Sequence, residues 1–275
     1  MWLTYIVTFI FGACIGSFLN VVIIRWREGR KLCGRSSCPH CQKNINVLDM
    51  IPIVSFFLLR GRCRHCDKKI SWQYPLVEFW TAVLFTFAYY SLAQAGFAIN
   101  FISLIFLLKV FFITAVLIVV FVSDLRYSLI YDKVIIPACV VVFVLDLIFA
   151  TFFVPAAQTF FLAGTIMYLK SAIMAVAICA GFFLIQYWLS NGKWIGAGDI
   201  WLGVFMGLVL GFPNIIVAMF LAYVGGAIVS LILIALKQKT IKGQVPFGVF
   251  LTAATFAAAH WGHIVLNWYL NKFIN

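Results

Sequence analysis

Acidic residues are scarce in this chain, and charge of either sign is low. Only 8 of its 275 residues are aspartate or glutamate, and charged residues make up 10% of the composition, whereas soluble domains carry about 25%. Hydrophobic residues account for 65%, and the mean hydropathy is +1.08. A soluble core could not bury so much apolar surface. The composition therefore excludes a soluble globular protein and predicts an all-α polytopic membrane protein.

The chain also lacks a cleavage site after its first apolar run, and it lacks a regular repeat. The run 2–24 is long enough to cross a bilayer and ends in arginines rather than at a small-residue cleavage site. We therefore expect a retained membrane helix and not a removed signal peptide. The sequence contains no low-complexity tract and no internal repeat of the kind that many transporters show.

Apolar runs along the whole chain predict about eight transmembrane helices. We expect them at 2–24, 76–93, 99–122, 133–153, 169–189, 199–212, 214–236 and 246–269. The sixth is short for a spanning helix, and Pro213 fits a tight turn after it. The expected domains are a first transmembrane helix, a small cytoplasmic zinc-binding domain and a transmembrane protease domain, at 1–24, 25–75 and 76–275.

Basic residues are concentrated in the loop between the first two predicted helices. Residues 25–69 hold eleven of the twenty lysines and arginines and three of the eight acids, a net charge of +8. The positive-inside rule explains this sign in a loop held between two membrane segments, so we expect a lipid bilayer and no nucleic acid as partner. If this loop is cytoplasmic, the loops predicted on the opposite, outer side of the membrane are 94–98, 154–168 and residue 213. None of these outer loops carries a lysine or an arginine. The rule then places both termini outside.

Two C-x-x-C pairs lie in the basic loop. Cys38 and Cys41 form the first, Cys63 and Cys66 form the second, and 21 residues separate the pairs. This spacing is typical of a tetrahedral four-cysteine zinc site, although reduced thiols without metal are the alternative. A disulfide is disfavoured in a cytoplasmic loop. Four cysteines would leave the metal no open position, so we expect structural zinc.

Two aspartates lie at predicted helix ends, where charge is expensive. Asp124 follows the third apolar run, and Asp199 follows Gly196, Ala197 and Gly198 at the head of the sixth. The predicted topology puts both acids on the cytoplasmic side, which suggests a functional pair. The alternatives are a helix N-cap for Asp199 and an interfacial acid paired with Arg126 for Asp124. Glycines before the acid would let backbone or substrate approach closely.

A pair of close carboxylates favours acid/base chemistry on a membrane-embedded substrate. Two such groups cannot both ionise readily, so they share a proton, as in aspartic proteases. The ionised member then activates water, and the protonated member polarises a peptide carbonyl. Asp132 comes eight residues after Asp124, and we expect it to support the pair. Glu78 and Asp146 could be buried hydrogen-bond partners or belong to a second activity.

The chain resembles the type IV prepilin peptidases, which are bifunctional leader peptidase/N-methyltransferases, over nearly its whole length. Besides the two C-x-x-C pairs, the resemblance rests on segments in a fixed order: Gly16–Ile23, Arg60–Cys63, Tyr74–Glu78, Asp124–Asp132, Gly196–Asp199 and Val245–Gly248. The combination and the order of these segments are highly specific.

The resemblance implies an aspartyl protease of the Gly-x-Gly-Asp type with Asp124 and Asp199 as the catalytic pair. It implies removal of a short basic leader from prepilins or pseudopilins at the cytoplasmic face of a bacterial plasma (inner) membrane. It further implies methylation of the new N-terminal residue, commonly phenylalanine, from S-adenosylmethionine. The zinc loop is associated with the forms of the family that carry this methylase.

The chain departs from the family pattern at two positions. The family often has lysine two residues after the Gly-x-Gly-Asp aspartate and proline before the second aspartate of the first motif; this chain has Trp201 and Tyr131 there. Both carboxylates remain. No glycine-rich dinucleotide loop is found, so a methyl-donor site would not be of the Rossmann kind. Asn20, Arg25 and Glu78 border the basic loop and are candidates for the methylase.

Two other classes of function remain as alternatives to the protease. A transporter or proton-coupled channel also uses buried acids and broken helices. A zinc-binding membrane scaffold would need no catalysis. Replacing either aspartate separates the three classes, because only a protease would lose cleavage while it kept its fold and its metal.

Overall fold

The computed structural model describes residues 2–94, 100–152, 161–237 and 245–273. These residues form nine α-helices and a short 3-10 turn at Val47–Met50. The helices are α1 Trp2–Arg27, α2 Val54–Leu58, α3 Gln73–Gln94, α4 Phe101–Tyr127, α5 Asp132–Phe152, α6 Phe161–Ser190, α7 Ala197–Leu210, α8 Asn214–Ala235 and α9 Gly248–Phe273. The described segments contain two isolated β-bridges and no strand. The predicted all-α fold is confirmed.

Seven of the helices are long and apolar enough to cross a membrane: α1, α3, α4, α5, α6, α8 and α9. The shorter apolar helix α7 has 14 residues and corresponds to the short sixth segment predicted from the sequence. The protein is therefore a multi-pass membrane protein.

The boundaries of two predicted helices differ most from the structure. We expected the third to end at residue 122, but α4 continues to Tyr127. Asp124 thus lies inside the last turn of a helix and not in the loop after it. The fifth predicted helix began at residue 169, whereas α6 begins at Phe161.

Part of the charge argument for topology falls outside the described residues. Segments 95–99 and 153–160 are not described, and they hold much of the loops predicted at 94–98 and 154–168. The sidedness of the termini stays a prediction.

The helices divide into two compact units, Met1–Val122 and Ser123–Asn275. This division reflects packing, whereas the predicted domains 1–24, 25–75 and 76–275 are functional, and they stay a prediction. In the first unit α1 packs against α3. A Cβ on Gly12 would lie 2.7 Å from the Cα of Ala82, and one on Gly16 would lie 2.7 Å from the Cα of Glu78. Two glycines on one face therefore permit this close approach of the backbones.

The second unit surrounds its shortest helix with longer ones. Helix α7 contacts α5, α6, α8 and α9, and its side chains Leu202, Phe205 and Met206 are fully buried. A Cβ on Gly207 would lie 2.7 Å from the backbone nitrogen of Val176 in α6. The core of this unit thus fixes the helix whose first turn carries Asp199.

Candidate active site and metal centre

The carboxylate of Asp124 lies against the first turn of α9. The Asp124 side chain is buried, with 6% of the residue exposed, and its Oδ2 accepts a hydrogen bond of 3.0 Å from the backbone N–H of Val249. The N–H of Gly248 also faces it. The first N–H groups of a helix have no partner within the helix, so they suit a buried anion.

The segment Val245–Gly248 belongs to the sequence resemblance, and the structure gives its last residue a steric role. A Cβ on Gly248 would lie 2.8 Å from Oδ2 of Asp124 and 3.2 Å from Cδ1 of Ile130. Any side chain at this position would displace the carboxylate. The sequence indicated the segment but not this contact.

The alternative role for Asp124, an interfacial pair with Arg126, is not what the structure shows. Arg126 is exposed at the end of α4, and the ion pairs among the described residues do not include the two. Backbone N–H groups hold Asp124 in place of a cation.

Asp199 is the third residue of α7 and not its N-cap, which is Gly196. Its Oδ2 accepts a hydrogen bond of 3.0 Å from the N–H of Gly196. The N-cap alternative is therefore wrong: Asp199 occupies the N3 position, and its side chain accepts from the N–H of the N-cap residue. A carboxylate offers about four acceptor positions, so one such bond does not prevent a chemical role.

The second unit brings the two aspartates into one electrostatic environment, because the charge of Asp124 acts on Asp199. The side chain of Ile130 links the two glycine motifs. A Cβ on Gly198 would lie 2.8 Å from the Cβ of Ile130, whose other end meets Gly248. A Cβ on Gly196 would be at ordinary contact distance, 3.4 Å, from its nearest neighbour. The group that approaches Gly198 is thus a side chain, and the predicted approach of backbone or substrate to these glycines stays a prediction.

Two other predicted acids, Asp132 and Asp146, lie on α5. Asp132 is exposed as the first residue of α5, and its supporting role stays a prediction. Asp146, further along α5, interacts electrostatically with Tyr168 of α6. Tyr131 is one of the two departures from the family pattern. Its backbone carbonyl accepts hydrogen bonds from the N–H groups of Val134 and Ile135 at the start of α5.

Sequence reasoning missed a polar pair on neighbouring helices. The hydroxyl of Tyr223 in α8 accepts from the side-chain nitrogen of Gln186 in α6 at 2.9 Å and donates to its oxygen at 3.2 Å. The ring of Tyr223 packs edge-on against Phe247 at 5.0 Å between ring centroids, and Tyr223 interacts electrostatically with Asp199. No local motif signals these residues, since only helix packing brings Gln186 to Tyr223.

The two C-x-x-C pairs form two knuckles with the same backbone pattern. In the first knuckle the N–H of Cys38 donates to the carbonyl of Lys43, and the N–H of Gln42 donates to the carbonyl of Cys38. In the second the N–H of Cys63 donates to the carbonyl of Lys68, and the N–H of Asp67 donates to the carbonyl of Cys63. The fourth residue after each first cysteine, Gln42 and Asp67, has a positive φ, of 57° and 55°. Each knuckle therefore directs two sulfur atoms to one side.

The four sulfur atoms meet in one cluster. The Sγ atoms of Cys38, Cys41, Cys63 and Cys66 all lie within 4.8 Å of one another, and those of Cys38 and Cys66 are 3.8 Å apart. A tetrahedral zinc ion with Zn–S bonds of about 2.3 Å requires sulfurs about 3.8 Å apart. The N–H groups of His65 and Cys66 lower the pKa of Cys63 to about 7, whereas burial and the neighbouring thiols raise the pKa of Cys66 to about 11. The fit to zinc therefore rests on the arrangement of the four sulfur atoms. The cluster fits zinc.

The three residues considered for the methylase anchor the loop. Arg25 donates to the carbonyls of Leu32, Gly34 and Arg35. Asn20 is fully buried, and its side-chain nitrogen donates to the carbonyl of Tyr74 at 3.2 Å. Arg25 thus attaches the loop to α1, and Asn20 ties α1 to the first turn of α3, where the loop ends. A part in methyl transfer stays a prediction.

Glu78 is the third anchor, and it holds a strained turn. Glu78 is 7% exposed, and its Oε2 accepts a hydrogen bond of 2.7 Å from the N–H of Ile53. Ile53 has φ 64° and ψ −56°, and the N–H of Val54 reaches back to the carbonyl of Pro52 at 2.6 Å. This is a γ-turn of the positive-φ kind, which a β-branched residue rarely adopts. The buried carboxylate stabilises it.

Comparisons with known proteins agree with this architecture. Residues 10–92 match the Bacterial Peptidase A24 N-terminal domain, and residues 111–231 match the Type IV leader peptidase family. The chain is 31% identical over 304 residues to the prepilin leader peptidase/N-methyltransferase of Aeromonas hydrophila, covering 99% of this chain and 96% of the relative. No solved structure matches the chain.

Two further relatives carry the same name. The protein of Legionella pneumophila is 29% identical over 300 residues, covering 98% of this chain and 95% of the relative. That of Bacillus subtilis (strain 168) is 28% identical over 265 residues, covering 96% and 97%. The chain is a membrane-embedded peptidase by class. It belongs to the type IV leader peptidase family, which confirms the resemblance stated from its motifs.

Zinc removal should unfold the loop, because within the fully described segment 28–72 only Cys38 and Phe56 are buried. We expect Cys63→Ser to abolish bound zinc and to make this segment sensitive to protease. Metal analysis and limited proteolysis of the purified protein check this. Cys33→Ser is the matched control, since Cys33 is exposed and outside the cluster. Full zinc content in Cys63→Ser would contradict the four-cysteine site.

Removing the Glu78 carboxylate should loosen the γ-turn. Glu78→Ala leaves the N–H of Ile53 without its acceptor, and we expect the free energy of unfolding to fall by about 1–3 kcal/mol. Thermal unfolding in detergent and hydrogen exchange at the Ile53 amide measure this. Glu28→Ala is the control, because Glu28 forms only an exposed pair with Arg30 and its loss should have little effect. Equal stability of the two variants would contradict the anchoring role.

Proposed function

We propose that this chain is an intramembrane aspartic endopeptidase that removes the leader from prepilins or pseudopilins, with Asp124 and Asp199 as its catalytic pair. The observation that carries the proposal is the geometry of these two acids. Each is held by a backbone N–H group at the start of a helix, and the charge of Asp124 acts on Asp199. The curated relatives are named for prepilin leader peptidase activity.

In the proposed reaction the two carboxylates share one proton. The ionised aspartate takes a proton from water, and the resulting hydroxide attacks the peptide carbonyl. The protonated aspartate donates a hydrogen bond to the carbonyl oxygen and then helps to expel the amine. The bonds from Val249 and Gly196 hold one oxygen of each side chain, so each carboxylate keeps a fixed orientation for proton transfer.

The residues around the pair have positioning roles in this proposal. Gly248 and Gly198 leave the space that Asp124 and Ile130 occupy. Asp132, eight residues after Asp124, supports the pair from the start of α5. The positive-inside rule places the carboxylates, the basic loop and the cleavage at the cytoplasmic face, with both termini outside.

We infer N-methylation of the new N-terminal residue, phenylalanine by the family resemblance, as the second activity. S-adenosylmethionine would supply the methyl group. The sequence has no glycine-rich dinucleotide loop, so we do not expect a Rossmann site. Cys38, Cys41, Cys63 and Cys66 would hold a structural zinc ion that keeps the loop folded.

Replacing either catalytic acid should stop cleavage. We expect Asp124→Asn and Asp199→Asn to lower the rate of prepilin cleavage by about 100-fold to 10,000-fold, because the amide can neither share nor accept the proton. Purified variants are compared by cleavage of a prepilin in detergent, with zinc content as a check of folding. Asp67→Asn is the control, since Asp67 is an exposed acid of the loop.

The outcomes separate the three classes of function. Loss of cleavage with retained zinc supports the protease and excludes the scaffold. Normal cleavage by either variant would remove that acid from the pair, and Asp132 would be the next acid to replace. A transporter would instead lose flux and show no cleavage in the wild type.

Adding one methyl group beside Asp124 should also lower activity. The new Cβ in Gly248→Ala would press on Oδ2 at 2.8 Å, and a displaced catalytic group can lower a rate by about 100-fold. Gly225→Ala is the matched control, because nothing lies within 4 Å of a Cβ there. Cleavage rates are measured with the thermal unfolding temperature of each variant. Equal rates for both variants would contradict the proposed position of Asp124.

A further inference from the structure

We propose that the cysteine-containing loop docks on the membrane surface by an apolar face flanked by unpaired cations. This docking face consists of Val47, Leu48, Met50, Val54, Phe57, Leu58 and Trp72. The partner that we assign to it is an anionic lipid bilayer. The proposal stands apart from the catalytic function, because it holds whether or not the chain cleaves or methylates a substrate.

The docking face is strongly exposed. Val47, Phe57, Leu58 and Trp72 are 69%, 61%, 76% and 59% exposed. The short helix α2 packs on the 3-10 turn Val47–Met50. The rings of Phe57 and Trp72 pack together at 6.4 Å between centroids, above the buried Phe56. The exposed apolar residues thus lie on elements that contact one another, an arrangement that water would solvate poorly.

This surface lies outside the membrane-spanning helices but continues directly into one of them. Trp72 precedes the first residue of α3, and the N–H of Leu76 donates to the carbonyl of Trp72 at 3.2 Å. Residues four apart share a helix face, so Trp72, Leu76 and Trp80 line one side, and all three are exposed. Exposed apolar residues on a spanning helix face lipid. The docking face extends that lipid-facing side onto the loop.

The charges of the loop fit an anionic surface. Its three acids are each paired with an arginine of the same loop: Glu28 with Arg30, Asp49 with Arg64 and Asp67 with Arg62. Six exposed cations are in none of these pairs: Lys31, Arg35, Lys43, Arg60, Lys68 and Lys69. Basic residues next to an apolar, aromatic surface are what binds a protein segment to anionic headgroups.

Two of these cations lie beside the docking face. Segments 60–62 and 69–70 run side by side. The N–H of Ile70 donates to the carbonyl of Gly61 at 2.8 Å, and the backbones of Arg62 and Lys69 form an antiparallel β-bridge. Arg60 comes two residues after Leu58, and Lys69 comes three before Trp72. They can therefore reach headgroup phosphates while the apolar side chains enter the acyl boundary.

The test places a photo-crosslinker in the full-length protein in nanodiscs of phosphatidylglycerol and phosphatidylcholine. Benzoylphenylalanine replaces Leu58 on the docking face or, as the control, the exposed Gln42 of the first knuckle. We expect lipid adducts at position 58 and few at position 42. The proposal would be overturned if position 58 gave no lipid adducts, or no more of them than position 42. It would also be overturned if position 58 crosslinked mainly to a second copy of the chain or to an added prepilin.

A second measurement tests the charge. The yield of lipid adducts at position 58 should fall severalfold in pure phosphatidylcholine and in the double variant Arg60→Ala with Lys69→Ala. The matched control is Arg62→Ala with Asp67→Ala, which removes an ion pair and leaves the net charge unchanged. An adduct yield that is the same in both lipids and in both double variants would overturn the assignment of an anionic surface.

Discussion

Hydrogen bonds from backbone N–H groups to carboxylates are the interaction on which this apolar structure depends. Asp124, Asp199 and Glu78 each accept a hydrogen bond from a backbone N–H, of Val249, Gly196 and Ile53 in turn. No lysine or arginine takes part in these three contacts. Backbone donors at helix starts and tight turns are fixed in place, so they orient a carboxylate without neutralising it. An acid held in this way keeps its capacity to exchange a proton.

Much of this architecture could be predicted from local sequence patterns. Hydrophobic run length predicted the helices, including the short α7, because each run must cross or enter the same bilayer. The cysteine spacing predicted a sulfur cluster, since a knuckle is determined by residues close in the chain. The Gly-x-Gly-Asp motif drew attention to Asp199 for the same reason.

The parts that sequence reasoning missed arise from contacts between distant helices. Gly248 lies beside Asp124, and Gln186 meets Tyr223, only because α4, α6, α8 and α9 pack as they do. The end of α4 was misplaced because a polar residue usually ends an apolar run, whereas the start of α9 satisfies Asp124 within the helix. Gly203 and Gly207 likewise matter because α6 packs closely against them, which the sequence of α7 alone does not show.

The length of α7 has a consequence for the depth of the site. Its 14 residues rise about 21 Å at 1.5 Å each, which is about 9 Å less than a hydrocarbon layer of about 30 Å. The longer helices α5, α6, α8 and α9 surround α7, so protein and not lipid lies around it. In the proposed reaction, a peptide bond near the end of a substrate helix would therefore reach Asp199 between these helices, with only a small part of the substrate drawn out of the bilayer.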